Sequence, residues 1–285
     1  MKTKKTKNIY VSDLDGTLLQ DNATLSAYTR KKLVELLNGG VNFTVASARS
    51  IVSLQQTLYQ IPFHLPVIEI NGAFISDFNT GKHLTINNMT KDMLGNIYSR
   101  ILRHNCMPFL SAFNGKEDCL YYQQIINDGM KFYYDDRIAN KDQRLRHAKN
   151  LPDTFKDFIV AFTVINSYDR LKPLAETIEA NFSENLQTHF FENPYSPPWW
   201  WLTIHDKKAC KSIAIKTLVE YTGFNMNDLV VFGDNLNDVN MFKMAARAIA
   251  VENASDEIKQ YATEIIGLNE EDSVIKYIAR DMNMA

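Results

Sequence analysis

The sequence predicts an α/β protein: a doubly wound parallel sheet interrupted by an inserted α+β unit. Three observations predict it. Strand-like and helix-like stretches alternate from Asn8 to Gly72. Short strands clustered with helices then take over. The alternation resumes from Trp201. Strand–helix–strand–helix–strand order implies parallel pairing with right-handed crossovers.

Each element follows from its residues. "NIYVS" is a short apolar strand. "SAYTRKKLVELLNGG" is a helix with Ser26 at its N-cap and Gly39-Gly40 as its stop. "VNFTVAS" is a second strand, "RSIVSLQQTLYQI" a helix stopped before Pro62, and "PVIEI" a third strand ending at Asn71-Gly72. In the middle, "TKDMLGNIYSRILRHN" reads as a helix, "MPFLSAF" and "CLYYQQI" as strands, and residues 127–149 as helical. "FIVAFTVI", "YDRLKPLAETIEANF" and "LQTHFFE" follow as strand, helix and strand. "NPYSPPWWW" reads as the return connection, because two prolines do not fit a central strand. After it come the strand "WLTI", the helix "KSIAIKTLVEYTG", the strand "DLVVFG", the helix "DVNMFKMAA", the strand "AIAV" and the helices "SDEIKQYA" and "EEDSVIKYIARDM". The expected domains are therefore 1–82 with 196–285 as a core, and 83–195 as the insert.

Composition narrows the function. The 285 residues are 45% hydrophobic, enough for one large core or two smaller ones. Net charge is −2, which points to neither nucleic acid nor a membrane surface as partner. The opening "MKTKKTKN" is basic, but the apolar run after it is too short for a secretion signal, and no apolar run approaches a membrane span. Cys106, Cys119 and Cys210 lack metal-ligand spacing, and their odd number argues against a disulfide framework. The expectation is a cytoplasmic protein, a monomer or weak dimer.

The chemistry is concentrated where the strands end. In a doubly wound sheet, ligands bind beyond the carboxyl ends of the strands. Asp13 and Asp15 follow the first strand, Ser47 and Arg49 the second, and Asn71 and Gly72 the third. Asp234, Asn237 and Asp238 follow "DLVVFG". Lys211 begins a helix, where the macrodipole disfavours a cation, so it is best explained by an anion facing it. Two acids at i, i+2 are costly together unless they share a task. One aspartate can attack phosphorus while the second serves as acid and then base. Carboxylates suit Mg²⁺, and Ser47 with Lys211 suits phosphoryl oxygens.

"DLDGTLL", "VASAR", Lys211 and "GDNLND" resemble, in order, the four motifs of the haloacid dehalogenase superfamily. The insert resembles its large type-2 cap, and the whole pattern the Cof-type sugar-phosphatase branch. "INGA" (70–73) and "VENASDEIK" (251–259) resemble recurring elements of that branch. The resemblance implies a phosphatase with Asp13 as nucleophile and Asp15 as general acid/base. It implies Mg²⁺ on Asp13, the Asp15 backbone carbonyl and Asp234, with Asp238 supporting the metal or pairing with Lys211. Ala48, Arg49, Asn71, Gly72 and Asn237 would border the substrate, a small-molecule phosphate ester. Two positions depart from the family pattern: Ser47-Ala48-Arg49 stands for Thr-Gly-Arg, and Ser212 replaces the glycine after the lysine.

Plainer readings exist for several residues. Arg49 suits a salt bridge, Asn71-Gly72 a turn, Asn237 a helix cap, and Asp238 an acid at a helix start. Trp199–Trp201 suit packing, His205 a structural role, and "RLRHAK" (144–149) a solvated helix face. A phosphotransferase or mutase shares every core motif, and a non-catalytic phosphate-binding protein is the remaining alternative.

Overall fold

The structure, a computed structural model, describes residues 7–193 and 196–284. The first six residues of the basic opening and two residues of the return connection, Pro194 and Tyr195, lie outside the described residues. The chain forms two compact units, Met1–Thr85 with Cys210–Ala285, and Ile86–Ala209.

The first unit opens with β1 (Ile9–Ser12), buried along its whole length. α1 (Ala27–Asn38) starts where the Ser26 hydroxyl accepts the Thr29 N–H at 2.9 Å, the expected cap. β2 (Asn42–Val45), α2 (Ile51–Thr57) and β3 (Val67–Glu69) complete the expected alternation. β4 (Phe74–Ser76) and β5 (His83–Ile86) then join β3 in a three-stranded sheet, a pairing that periodicity does not reveal.

The second unit contains α3 (Lys91–Arg103), β6 (Pro108–Phe113), β7 (Asp118–Tyr122), α4 (Asp128–Ala139), β8 (Leu145–His147), β9 (Phe158–Asn166), α5 (Tyr168–Phe182), β10 (Leu186–Glu192) and β11 (Trp200–Asp206). Its six strands lie in the order β10-β11-β9-β6-β7-β8, antiparallel except for β7 with β8. The alternate positions Leu110, Phe162, Val164, Leu202 and Ile204 pack with Leu94, Ile97, Ile101, Leu171, Leu174 and Ile178 of α3 and α5.

The structure departs from two sequence expectations. The helix expected over 127–149 ends at Ala139, and Leu145–His147 is a strand parallel to β7. The strand expected to resume the core, β11, instead pairs antiparallel with β9 and β10, which moves the second unit boundary from 195/196 to 209/210. The other boundary falls at 85/86, not 82/83.

The first unit resumes with α6 (Lys211–Thr222), closed by Gly223 at φ 74° as expected. β12 (Leu229–Gly233), α7 (Val239–Met244), β13 (Arg247–Ala250), α8 (Asp256–Lys259), β14 (Glu264–Ile265) and α9 (Ser273–Asp281) follow. Its main sheet is parallel throughout, in the order β14-β13-β12-β1-β2. β3 joins this sheet through one parallel bridge, Ala46 to Ile68. The register sets Ser12 beside both Val45 and Phe232, so the residues that follow these strands share one rim. No helix among the described residues is long and apolar enough to cross a membrane. All three cysteines are free and buried.

The "RLRHAK" run is not the solvated helix face expected: it holds a strand, and its first residue, Arg144, belongs to a buried ion pair with Asp142 just before the run. Arg144 is 6% exposed, and its Nε and Nη2 donate to the Asp142 carboxylate at 2.9 and 2.7 Å. Arg146 pairs with Glu117 at the surface, at 3.2 Å. Removing one partner of a buried pair strands the other charge. Arg144→Leu is therefore expected to destabilise the protein by about 3 kcal/mol in urea unfolding, against less than about 1 kcal/mol for Arg146→Ala.

Candidate active site

The site starts from β1. The Asp13 N–H donates to the Phe232 carbonyl at 2.9 Å, which extends the β1–β12 ladder by one step and fixes where the Asp13 side chain departs. The chain then turns at Gly16, at φ +76°. A Cβ there would lie 2.6 Å from Asp234 Oδ2, so glycine is required twice over, by conformation and by space. The next residue, Thr17, donates its hydroxyl to Asp234 Oδ1 at 2.8 Å.

Lys211 is the first residue of α6 and is 2% exposed. Its Nζ donates to Asp13 Oδ1 and to Asp238 Oδ1, both at 2.7 Å. The anion expected to face this lysine is thus a pair of carboxylates. Asp238 is fully buried, and its other oxygen accepts the backbone N–H groups of Asp234 and Asn235 at 3.2 and 3.3 Å. Gly233 makes room for it, since a Cβ there would meet Asp238 Oδ2 at 2.6 Å.

These contacts set the electrostatics. Burial raises the Asp13 pKa well above the usual carboxylate range; Asp238 and Asp234 push the same way, and Lys211 opposes them. Burial, with Asp238, lifts Asp234 to about 6. Burial also disfavours the Lys211 ammonium, but Asp13 and Asp238 outweigh it and hold its pKa above the ordinary lysine value. Three carboxylates against one ammonium leave a formal surplus of negative charge. Ligand oxygens of Asp13, Asp234 and Asp238 all lie within 4.8 Å of one another. An all-oxygen donor set with uncompensated charge fits a hard divalent cation such as Mg²⁺. Asp238 has both oxygens committed to hydrogen bonds, so Asp13 and Asp234 are the better placed ligands.

The remaining expected residues form the flank. Arg49 Nε and Nη2 donate to the two oxygens of Asp15 at 2.8 and 2.6 Å, a bidentate pair, and Arg49 Nη1 donates to Thr57 at 2.8 Å. The Asp15 carboxylate is not part of the three-carboxylate group. Ser47 is buried, and its Oγ accepts the Arg49 N–H at 3.1 Å, leaving its own hydrogen for an acceptor. Ala48 is exposed. Asn71 sits at φ 55°, buried, with its side-chain oxygen unpartnered. Gly72, at φ +100°, abuts the Cys210 carbonyl, which a Cβ would meet at 2.6 Å, just before Lys211.

Several contributors lie inside the quoted motifs, but nothing in the sequence singles them out. Asn235, not Asn237, caps the short turn before α7, in a box with Asp238. Thr17 stands inside "DLDGTLL", but its bond to Asp234 depends on register. Asn253 donates to the Gly16 carbonyl at 2.7 Å and lies inside "VENASDEIK". His205 lies in the second unit; burial, then His189, depress its pKa to about 3.

The sequence pattern that describes haloacid dehalogenase-like hydrolases matches residues 10–278. The chain belongs to this family. It is similar to the 5-amino-6-(5-phospho-D-ribitylamino)uracil phosphatase YitU of Bacillus subtilis (strain 168), with 22% identity over 93% of this chain and 94% of that one. It is also similar to the pyridoxal phosphate phosphatase YbhA of Escherichia coli (strain K12), with 22% identity over 96% and 98%. A solved haloacid dehalogenase-like hydrolase from Bacteroides thetaiotaomicron shares the fold at a TM-score of 0.78, with 20% identity over 96% of this chain and 99% of that one.

The raised Asp234 pKa has a measurable consequence in chelator-treated protein. The folded state holds this proton up to about pH 6, whereas the ordinary value is 3.8. Ionising Asp234 therefore costs stability as pH rises through that window, on the order of 2–3 kcal/mol. Urea unfolding across the window is expected to show Asp234→Asn gaining on wild type as pH rises. A constant difference between the two would contradict the raised pKa.

Proposed function

We propose that this protein hydrolyses small phosphomonoesters through a phosphorylated Asp13, with Mg²⁺ as cofactor. The observation that carries the reading is Asp13 itself: a buried carboxylate at the rim, in contact with Lys211 and grouped with Asp234 and Asp238. Such a carboxylate is desolvated and oriented, as a nucleophile must be.

An Asp13 oxygen attacks phosphorus as the ester P–O bond breaks, and Asp15 gives a proton to the leaving oxygen. In the second half, Asp15 takes a proton from water as that water attacks phosphorus. The Asp13–phosphorus bond breaks, releasing inorganic phosphate and restoring the carboxylate. Asp15 has both oxygens on Arg49 here, so its release from that pair belongs to the cycle. Ser47 offers its hydroxyl hydrogen, and Lys211 its charge, to the phosphoryl oxygens. Arg49, Ala48, Asn71, Gly72 and Asn237 border the substrate. Asp13, the Asp15 backbone carbonyl and Asp234 would hold Mg²⁺, with Asp238 orienting the lysine and the turn that carries Asp234. Bound Mg²⁺ would neutralise the carboxylates and polarise the phosphate.

The inserted unit is the part we assign to choosing the leaving group and excluding water, since the core residues above recognise only the phosphate. Sugar and polyol phosphates are the favoured class. The relative named for a phospho-D-ribityl compound supports it, and the relative named for pyridoxal phosphate supports small phosphate esters more broadly. Three free cysteines suit a cytoplasmic setting.

The test is phosphate release from an aryl phosphate, followed by a panel of sugar phosphates. Wild type is expected to release phosphate with Mg²⁺ and to stop in excess chelator. Asp13→Asn should lose at least about a thousandfold in kcat/KM. Turnover that persists in pure Asp13→Asn protein would remove Asp13 from the nucleophile role.

A further inference from the structure

We propose that Glu69, outside every motif above, is a positioning residue that holds the Ser47–Arg49 loop in place to receive phosphate. This rests on the reading that Ser47 and Arg49 border the phosphate.

Glu69 is the last residue of β3 and is 0% exposed. Its Oε2 accepts the Ile51 N–H, the first of α2, at 2.5 Å. The residue at the usual capping position, Ser50, makes no capping bond. Glu69 thus caps α2 from a neighbouring strand, immediately after the Ser47–Arg49 loop. The backbone reinforces the same seam. Ser47 N–H donates to the Ile68 carbonyl at 3.0 Å, Ile70 N–H to the Arg49 carbonyl at 3.0 Å, and Asn71 N–H to the Ser47 carbonyl at 2.9 Å.

The other oxygen of Glu69 is held just as firmly. Ser76 Oγ, on β4, donates to Oε1 at 2.5 Å and lies 2.7 Å from His83 Nδ1 on β5. A hydroxyl has one hydrogen, and Ser76 gives it to the carboxylate, so His83 Nδ1 is the donor to Ser76. The His83 ring is fixed by stacking on Phe74, at 4.0 Å between centroids. His83 donates to Ser76 and Ser76 to one Glu69 oxygen, while the other oxygen accepts the Ile51 N–H. Burying a carboxylate is costly, and a helix start needs only a serine or threonine cap. The arrangement is explained if the loop must not move.

The test compares Glu69→Ala, Glu69→Gln and Ser76→Ala in the full chain. Three quantities are read: hydrogen exchange over residues 47–57, binding of inorganic phosphate, and binding of Mg²⁺ by calorimetry. Glu69→Ala is expected to speed exchange and weaken phosphate about tenfold or more, with Mg²⁺ affinity unchanged. Glu69→Gln should restore phosphate binding, because its oxygen can accept from Ile51 while its amide donates to Ser76. Ser76 would then donate to His83. Ser76→Ala should weaken phosphate about threefold, and it decides the matter if Glu69→Ala does not fold. Faster exchange with unchanged phosphate affinity would make Glu69 merely structural. Equal losses of phosphate and Mg²⁺, or no rescue by glutamine, would also overturn the proposal. Wild type that binds phosphate but hydrolyses no ester would overturn the hydrolase reading alone, and wild type that binds no phosphate would overturn both.

Discussion

The Lys211 ammonium, held between Asp13 and Asp238, is the contact on which the site depends. A buried ammonium without partners is untenable, and so are two buried carboxylates without a cation. The three groups therefore exist only together. Their chain positions are far apart: Lys211 is 198 residues from Asp13 and 27 from Asp238. The contact ties the end of β1, the start of α6 and the turn after β12 to one point. Gly16 and Gly233 lack side chains where Asp234 and Asp238 approach, and the second oxygen of Asp238 fastens the backbone of Asp234. The site is built by tertiary structure from residues that each look modest alone.

A second tie runs along the flank. Arg49 divides its donors between Asp15 and Thr57, and so connects the turn after β1 to the far end of α2. The seam between residues 47–51 and 68–71 holds the other side of the same loop. The loop is therefore constrained from two directions, by a guanidinium that can exchange partners and by a backbone ladder that cannot. That division suits the phosphate site proposed above, where one side must respond and the other must stay fixed.

The sequence made the fold class and the strand-end acids legible because both are local. Asp13 and Asp15 stand beside an apolar run, and Lys211 opens a helix against its dipole. What stayed hidden depends on pairing partners. The apolar alternation of Trp200–Asp206 reads as a strand but does not say which sheet it enters, so the unit boundary shifted. Leu145–His147 was hidden by its two basic residues, which suit a helix surface as well as a strand edge. β14 has only two residues, too few for any period to register. Thr17, Asn235 and Glu69 become meaningful only when their partners are brought near. The plainer reading of Asn237 as a helix cap fails because the turn begins two residues earlier, at Asn235.

The parallel sheet also imposes an order on the chain's synthesis. β1 leaves the ribosome long before its neighbour β12, and Thr17 must wait for Asp234, 217 residues later. At roughly 5–20 residues per second, that delay is on the order of ten seconds or more. Throughout it β1 lacks one of its two flanking strands, and the lysine's carboxylate partners are not both present. The insert, one continuous stretch, has all its own strands before β12 emerges. During translation, then, the insert has its strands while the unit that carries the candidate site still lacks β12, β13 and β14. An apolar edge left open that long is where chaperone binding or misassociation of nascent chains is expected to concentrate.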